Sequence, residues 1–243
     1  MRPIKGTVAK FFGVVLLAVV LGASRSSAIV TVTNLTNGGS ISMSNLVTNA
    51  MSVQVGDKLF GNFSLLLGDS GLVASDVTLY GLTNQIGYGF QLQLDDFTVT
   101  GTASKDISLD FSVQVTDPSQ RIVGDNLTIN AGVSGYGLAA VTENVYSAEG
   151  IGSGLITTLF AERTASVVDL QDFVTFCQPM QLIWIEKDIQ VNANPNKSFS
   201  SNPSGDVATL SIIDQVFTQV PEPSTLFLLA SGIVGLVVIR RRR

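Results

Sequence analysis

Histidine is absent from this chain, and its absence limits the chemistry that the protein can perform. Without an imidazole there is no Ser-His-Asp or Cys-His nucleophile system, and the usual nitrogen ligand of zinc is missing. Charged residues make up only 14% of the chain and aromatic residues only 7%. The sequence therefore excludes histidine-dependent hydrolysis and histidine-ligated metal centres.

Cysteine is almost absent as well, because Cys177 is the only one. A single thiol cannot form an intrachain disulfide, so the fold must be stabilised by packing and strand pairing. With no histidine to serve as its base, a nucleophilic role for this thiol is disfavoured. We predict that Cys177 is a small buried hydrophobic residue.

Residues that suit strands and turns are abundant, and the dominant apolar period is two. The clearest run places Ile107, Leu109, Phe111, Val113 and Val115 on one face of a strand. Shorter runs of the same kind include Leu127 with Ile129, Val53 with Val55, and Val77 with Leu79. No helical stripe of useful length occurs between the two ends of the chain, so we predict a domain of strands and short turns.

Three local patterns refine this prediction. The apolar phase slips at Asp95-Asp96, which predicts a β-bulge. The run from Leu182 to Ile185, with Trp184 at its centre, predicts a central strand that is covered on both faces. A last strand is expected from about Asp206 to Phe217, and glycines at 150, 152 and 154 predict a flexible or bulged connection between strands.

The resulting fold class is all-β, an antiparallel β-sandwich of jelly-roll or immunoglobulin-like type. We expect it to be flanked by an N-terminal signal helix and a C-terminal single transmembrane helix. A length of 243 residues suggests one domain, or at most two small ones. We place the exported β-domain at residues 29–219.

The N-terminus has the pattern of a secretory signal peptide at residues 1–28. Basic residues precede a short apolar run, and small residues follow it, which predicts cleavage by signal peptidase after Ala28. The apolar run is short for a retained membrane helix, which is the alternative.

The C-terminal segment, residues 220–243, contains three elements in a fixed order. Pro221, Glu222 and Pro223 come first, and their prolines interrupt regular structure at an extended junction. An uncharged stretch at 225–239 then predicts a short membrane helix. The segment closes with the cluster Arg240, Arg241, Arg242 and Arg243, which the positive-inside rule places in the cytoplasm as a stop-transfer signal.

This arrangement resembles the PEP-CTERM sorting signal. The resemblance implies processing by an exosortase, a membrane-embedded protease of Gram-negative bacteria, and a link to exopolysaccharide and biofilm. It concerns delivery and not the activity of the domain. We therefore expect export across the cytoplasmic membrane, initial anchoring by the C-terminal helix, and a final location at the cell surface or outside the cell.

The exported segment is strongly acidic. Residues 29–220 contain 18 acidic and 6 basic side chains, so 6 − 18 gives a formal charge of −12. Such a charge would repel the phosphates of nucleic acid, which we exclude as a partner. Neutral polysaccharide, cationic groups and calcium remain compatible with it.

Candidate chemistry is limited to carboxylates and tyrosines. A glycosidase would need two carboxylates, and calcium would need clustered oxygens, for which Asp69 with Ser70 or Asp95 with Asp96 are candidates. The carboxylates that qualify for hydrolysis are Asp95, Asp96, Glu143, Glu149, Asp169 and Asp172. Rings that could stack on sugars belong to Tyr80, Tyr88, Tyr136 and Tyr146.

The function that these observations favour is a non-catalytic, exported surface or matrix protein, with no cofactor and no metal. A carbohydrate-binding module of the envelope is the alternative, and an envelope glycoside hydrolase is the second alternative.

Overall fold

The protein is an all-β, two-sheet structure, as the sequence predicted. The computed structural model describes residues 31–148, 150–195 and 205–221. The predicted signal helix, the cleavage site at Ala28 and the predicted membrane helix at 225–239 lie outside these residues. Within the described ranges, no helix is long and apolar enough to cross a membrane.

The first sheet has eight strands. In spatial order they are β1 (Val32–Asn34), β3 (Ser52–Val55), β4 (Lys58–Leu66), β8 (Ser104–Val115), β14 (Leu182–Asn192), β10 (Leu138–Tyr146), β11 (Leu155–Thr164) and β12 (Val168–Asp169). The pairing of β1 with β3 is parallel, and the other pairings of this sheet are antiparallel.

The second sheet has seven strands, all in antiparallel pairs. In spatial order they are β13 (Gln171–Met180), β9 (Gln120–Ser134), β15 (Val207–Pro221), β6 (Tyr88–Leu94), β5 (Val77–Thr83) and β2 (Ser40–Ser42), while β7 (Thr98–Thr100) pairs with β15 beside β6. The last predicted strand is confirmed, and it continues to Pro221.

One hydrophobic core lies between the two sheets, and both contribute to it. The alternating residues of β8 point into this core from Ile107 to Val115, as predicted. Phe60 and Phe111 of the first sheet meet Phe90 and Phe217 of the second. The Phe60 and Phe90 rings contact edge to face, with 5.2 Å between their centroids, a geometry that stabilises beyond simple burial.

The strand containing Trp184 is central, as predicted, but the prediction that both of its faces are covered is wrong. Ile183 and Ile185 are buried in the core, whereas Trp184 is only half-buried on the outer face of the first sheet. The apolar run suggested two covered faces because the sequence does not distinguish an outward-facing indole from an inward-facing isoleucine.

The predicted phase slip at Asp95-Asp96 is real, but it is a turn and not a bulge within one strand. β6 ends at Leu94, Asp96 adopts a φ of 55°, and β7 begins at Thr98. Both strands pair with β15. The compensating irregularity lies in β15, whose register with β9 shifts between Leu210 and Ile212.

One short α-helix, α1 (Met43–Thr48), contradicts the prediction that this region contains only strands and turns. Ser42 caps it by accepting a hydrogen bond from the Asn45 amide, and Met43 and Leu46 anchor it in the core. Six residues are too few to show a helical stripe, so sequence periodicity could not detect it. The glycines at 150, 152 and 154 all have positive φ and connect β10 to β11, as predicted.

Candidate functional site

The first proline of the predicted sorting motif stands at the end of β15. Pro221 is opposite Gln120 and Val220 is opposite Arg121, so pairing with β9 continues up to the motif. Glu222, Pro223 and the cluster Arg240, Arg241, Arg242 and Arg243 lie outside the described residues.

Beneath this end of β15, a buried lysine crosses from one sheet to the other. Lys58, from the first sheet, donates to the side-chain oxygen of Gln219 on β15 and to Asp57 Oδ1 at 2.8 Å. The Tyr88 ring lies 5.8 Å from its Nζ. Burial lowers the pKa of Lys58, and Asp57 opposes that shift. The strand that leads into the motif is therefore fixed by side chains as well as by the sheet.

The candidate hydrolytic carboxylates are not brought together as a cleft. Asp95 and Asp96 occupy an exposed turn, and Asp169 is exposed on β12. Asp172 accepts hydrogen bonds from the Phe160 and Phe173 amides. Glu143 is completely buried in the core, where no sugar could reach it. Glu149 lies outside the described residues.

The candidate calcium ligands have other roles. Ser70 is fully buried, and its Oγ accepts a hydrogen bond from the Leu72 amide at 3.1 Å, which stabilises the turn. Asp69 beside it is exposed. In the part of the chain that the structure describes, no three acidic or cysteine side chains cluster in a way that could hold a metal ion.

The tyrosines differ in exposure. Tyr136 is 46% exposed in the turn between β9 and β10. It lines a cavity of about 340 Å³ with Glu162 and Pro195. Tyr80 and Tyr88 are half-buried, and Tyr146 is buried with its hydroxyl donating to Glu186 at 2.7 Å. Of the proposed stacking rings, only that of Tyr136 is presented openly.

Cys177 is exposed, so the prediction of a buried thiol is wrong. The pairing of β13 with β9 jumps from Thr175 to Met180, and the residues between them leave the ladder. Within that irregular stretch Phe176 is buried and Cys177 faces solvent.

Four polar side chains that no sequence motif groups together meet in the core between the sheets. Glu143 on β10 and Lys187 on β14 are directly opposite each other in the first sheet. Asp125 on β9 and Gln215 on β15 face them from the second sheet. We call these four residues the buried polar cluster, and none of them is more than 2% exposed.

Close contacts connect the whole buried polar cluster. Lys187 Nζ contacts Glu143 Oε2 and donates to Gln215 Oε1. The Gln215 amide nitrogen donates to Asp125 Oδ1 and, at 3.0 Å, to Glu143 Oε1. Asp125 Oδ2 is buried without a hydrogen-bond partner among the described residues.

Burial sets the protonation of this cluster. Desolvation raises the pKa of Asp125 to about 7, against the opposing effects of the Lys187 charge and the Gln215 hydrogen bond. Desolvation lowers the pKa of Lys187 to about 7, against the attraction of Asp125. A buried lysine and a buried aspartate thus both have access to their neutral forms near neutrality.

The sequence did contain a signal for this cluster. Extending the period-two pattern of β14 through Ile185 and Ile189 places Lys187 on the inner face. The same extension places Glu143 between Val141 and Val145. A charged residue at an inward position of a strand with regular apolar–polar alternation indicates a buried polar group.

A second polar surface covers the outer face of the first sheet, and we call it the acidic outer patch. It consists of Asp106 and Asp110 on β8 with Glu186 and Asp188 on β14. Burial and then repulsion from Glu186 raise the pKa of Asp110. Burial, followed by repulsion from Asp106 and Glu186, raises the pKa of Asp188.

Aromatic and amide groups border the acidic outer patch. Trp184 is opposite Tyr146 on the neighbouring strand, and its indole nitrogen has no hydrogen-bond partner among the described residues. Asn144 donates to Glu186 Oε2 at 3.4 Å. The patch therefore combines negative charge, hydrogen-bonding groups and one half-buried indole whose nitrogen is enclosed.

Together these features define a class of protein: an all-β domain whose last strand leads directly into a C-terminal sorting sequence. Residues 219–243 match the PEP-CTERM protein-sorting motif. The chain therefore carries the PEP-CTERM sorting signal, which implies an exported envelope protein and processing by an exosortase.

No curated protein matches the chain. Among solved structures, a carbohydrate-binding module, TmCBM61, in complex with β-1,4-galactotriose is 11% identical, with 66% of this chain and 89% of that chain covered and a TM-score of 0.31. A structure of carbohydrate-binding modules from the β-sandwich superfamily is 10% identical, with 76% and 63% covered and a TM-score of 0.29.

The enzymatically active domain of tailspike protein 4 of bacteriophage CBA120 is also similar, at 10% identity and a TM-score of 0.26. The match covers 68% of this chain and 19% of that chain. TM-scores this low do not establish a shared topology, so the ligands and activities of these proteins are not transferred to this chain.

Proposed function

We propose that this protein is an exported, non-catalytic surface or matrix protein of a Gram-negative-type envelope. A signal peptide at residues 1–28 directs export and is removed after Ala28. The helix at 225–239 and the arginines at 240–243 hold the C-terminus in the membrane until an exosortase acts at the Pro221-Glu222-Pro223 motif. The released β-sandwich, of jelly-roll or immunoglobulin-like type, then associates with exopolysaccharide.

The observation that carries this proposal is the position of the sorting motif relative to the fold. β15 is paired with β9 up to Pro221, and Gln219 is bonded to Lys58. Cleavage of the chain after the motif would leave these pairings in place. Cleavage at this junction is therefore compatible with release of an intact domain.

The test uses the full-length chain, expressed with and without an exosortase. We expect the exosortase to convert a membrane-bound form into a lighter, released form, measured by intact mass and membrane fractionation. Replacing Pro221 and Glu222 by alanine should block that conversion. Pro118→Ala, in an exposed turn, is the matched control and should be processed normally. If the motif variant is processed like the control, the proposed sorting role of residues 221–223 is wrong.

Carbohydrate binding is the second candidate, and the acidic outer patch with Trp184 favours it. An indole supplies an apolar surface on which a sugar ring can stack. Asn144 and Glu186 supply an amide and a carboxylate beside it. A neutral polysaccharide suits this surface better than an anionic one, because the patch is negatively charged.

Because Trp184 is the only tryptophan, its fluorescence reports on this surface directly. We expect neutral envelope polysaccharides to shift or quench that emission in a saturable manner. Asn144→Ala should weaken the response, whereas Tyr136→Phe, in a turn outside this sheet face, should not. Unchanged emission across the whole polysaccharide panel would exclude binding at Trp184.

A further inference from the structure

The buried polar cluster places a primary amine against a carboxamide inside the core. Lys187 Nζ contacts Gln215 Oε1, and both residues are completely buried. The two side chains come from different sheets, Lys187 from β14 and Gln215 from β15. An ordinary salt bridge needs no such glutamine, and a buried charge network of this kind is costly to maintain compared with apolar packing.

The amine has the properties of a nucleophile. A desolvated lysine loses its proton readily, and the neutral amine carries the lone pair that attacks a carbonyl. Burial lowers the pKa of Lys187 to about 7, so the neutral amine is accessible at ordinary pH. The surrounding core excludes water, which would otherwise solvate the amine.

The carboxylates lie where proton transfer requires them. Glu143 contacts the lysine through Oε2 and the Gln215 amide nitrogen through Oε1. Asp125 contacts the same amide nitrogen from the other sheet. Since burial raises the pKa of Asp125 to about 7, this carboxyl has access to the protonated form that can donate.

We propose that Lys187 and Gln215 form an intramolecular isopeptide bond, with Glu143 as general base and Asp125 as general acid. The bond joins β14 of the first sheet to β15 of the second. The reaction needs no cofactor, oxidant or enzyme, because nucleophile, acyl donor and proton-transfer groups are all held in contact by the fold.

The reaction exchanges one amide bond for another and releases ammonia. The lone pair of neutral Lys187 Nζ attacks Cδ of Gln215, and the amine proton passes to the Glu143 carboxylate. The bond from Cδ to Nε2 breaks, and Nε2 leaves as ammonia with a proton from the Asp125 carboxyl. A secondary amide remains, one NH3 is lost, and transfer of the proton from Glu143 to Asp125 restores both carboxyls.

Such a cross-link suits this chain because its single cysteine cannot supply an intrachain disulfide. The cross-link would connect the sheets through β15, the strand that continues into the sorting sequence. Any tension on an anchored C-terminus enters the domain through that strand. A covalent bond at Gln215 would carry this tension into the first sheet.

Lys58 and Gln219 provide an internal comparison. They too are a buried lysine and a β15 glutamine in contact, but the carboxylate beside them, Asp57, is bonded to the amine alone in the hydrogen bonds described. No carboxylate among those hydrogen bonds contacts the Gln219 amide nitrogen, which must leave. The pair therefore lacks the acid that the Lys187 reaction uses, and Lys58→Met is a matched control.

The experiment is peptide mapping of the purified full-length chain by tandem mass spectrometry. We expect a branched peptide in which Lys187 is joined to Gln215, lighter than the sum of its two arms by one NH3. Lys187→Arg and Gln215→Leu should abolish the branched peptide, and Lys58→Met should retain it. Glu143→Gln should slow its formation at least about 100-fold, the usual contribution of a general base.

The wild-type map decides the matter even if a variant fails to fold. Separate peptides with a free Lys187 amine and an intact Gln215 amide would overturn the proposal. A branched peptide lighter by one H2O would also overturn it, because that loss identifies Glu143 or Asp125 as the acyl donor. A branched peptide that persists in Gln215→Leu would also overturn the proposal, because it would show that another residue is the acyl donor.

Discussion

At the scale of single residues, the main feature of this protein is the division of its charged side chains between the core and the outer face of the first sheet. Lys187, Glu143 and Asp125 are enclosed in the core, whereas Asp106 and Asp188 gather on the outer face of the first sheet. The enclosed side chains bond to one another and to Gln215, whereas the outer carboxylates repel. Burial shifts the pKa in both groups, and repulsion between like charges adds to the shift in the outer group.

Replacing Asp188 by asparagine should stabilise the protein at neutral pH. The folded-state pKa of Asp188 is raised, so its contribution to stability is complete at acidic pH and is lost as pH rises through that pKa. The variant should unfold at a higher temperature than wild type near about pH 7 and at the same temperature near about pH 3. Because the site is partly exposed, we expect less than about 1 kcal/mol.

Asp117 supplies a control of opposite sign for that measurement. Hydrogen bonds from Ser119 lower the pKa of this exposed carboxyl. Its contribution is therefore present above the unfolded pKa and lost as pH falls. Asp117→Asn should not stabilise the protein at neutral pH. Equal stabilisation by both substitutions would show that net charge, and not the outer patch, is responsible.

The exposure of Cys177 can be tested in the native protein. We expect a maleimide to modify this thiol fully without denaturant, because the side chain faces solvent in an irregular stretch of β13. Mass spectrometry before and after denaturation gives the result. Labelling that appears only after unfolding would restore the original prediction of a buried thiol.

At the scale of elements, β15 organises the second sheet. It pairs with β9 on one side and with β6 and β7 on the other, and it carries both Gln215 and Gln219. Its own phase shift near Ser211 allows residues before and after that point to face the core. This strand is therefore both the centre of the sheet and the route to the sorting sequence.

Gly89→Ala should disrupt the pairing of β6 with β15. A Cβ at this position would overlap the carbonyl oxygen of Gln215, and backbone atoms cannot move aside without separating the strands. We expect a loss of roughly 1–3 kcal/mol in the free energy of unfolding, the usual cost of overpacking. Chemical denaturation followed by circular dichroism measures it.

Gly205→Ala is the matched control for the β6–β15 contact. Among the described residues, no atom lies within 4 Å of a Cβ built at Gly205, so this change should alter stability by no more than about 0.5 kcal/mol. Equal losses in the two variants would mean that backbone entropy, and not the close approach of β6 to β15, explains the Gly89 result.

At the scale of the whole molecule, the folded domain and its sorting signal meet at Pro221. The paired strand extends to Pro221, and the match to the sorting motif begins at residue 219, so the described domain and its delivery signal overlap. The exported segment carries a formal charge of 6 − 18 = −12, while the chain as a whole carries −5. The basic side chains are concentrated at the two ends.

Replacing Arg240 to Arg243 by glutamine should weaken membrane retention before processing. We expect these charges to oppose translocation of the C-terminus, so that their loss removes the proposed stop-transfer signal. Membrane fractionation and protease protection provide the measurements, with Lys105→Gln in the exported domain as the control. Identical retention and orientation in both variants would contradict the stop-transfer role.

The all-β class, the two-sheet plan and the sorting motif could be predicted from the sequence by itself. Each depends on a local pattern: alternation in a strand such as β8, or three adjoining elements at residues 221–243. Period-two alternation specifies which residues share a face because successive side chains of a strand point to opposite sides. A sorting signal is read by its local order and needs no fold.

Only the tertiary structure decided which face was the inner one and which distant residues met there. Trp184 proved to be outside and Lys187 inside, although the indole is the more apolar of the two. The contacts among Asp125, Glu143, Lys187 and Gln215 join four strands, and the hydrogen-bonded pairs are 28 to 90 residues apart in sequence. Local pattern cannot encode such contacts, because they depend on strand order and register between two sheets.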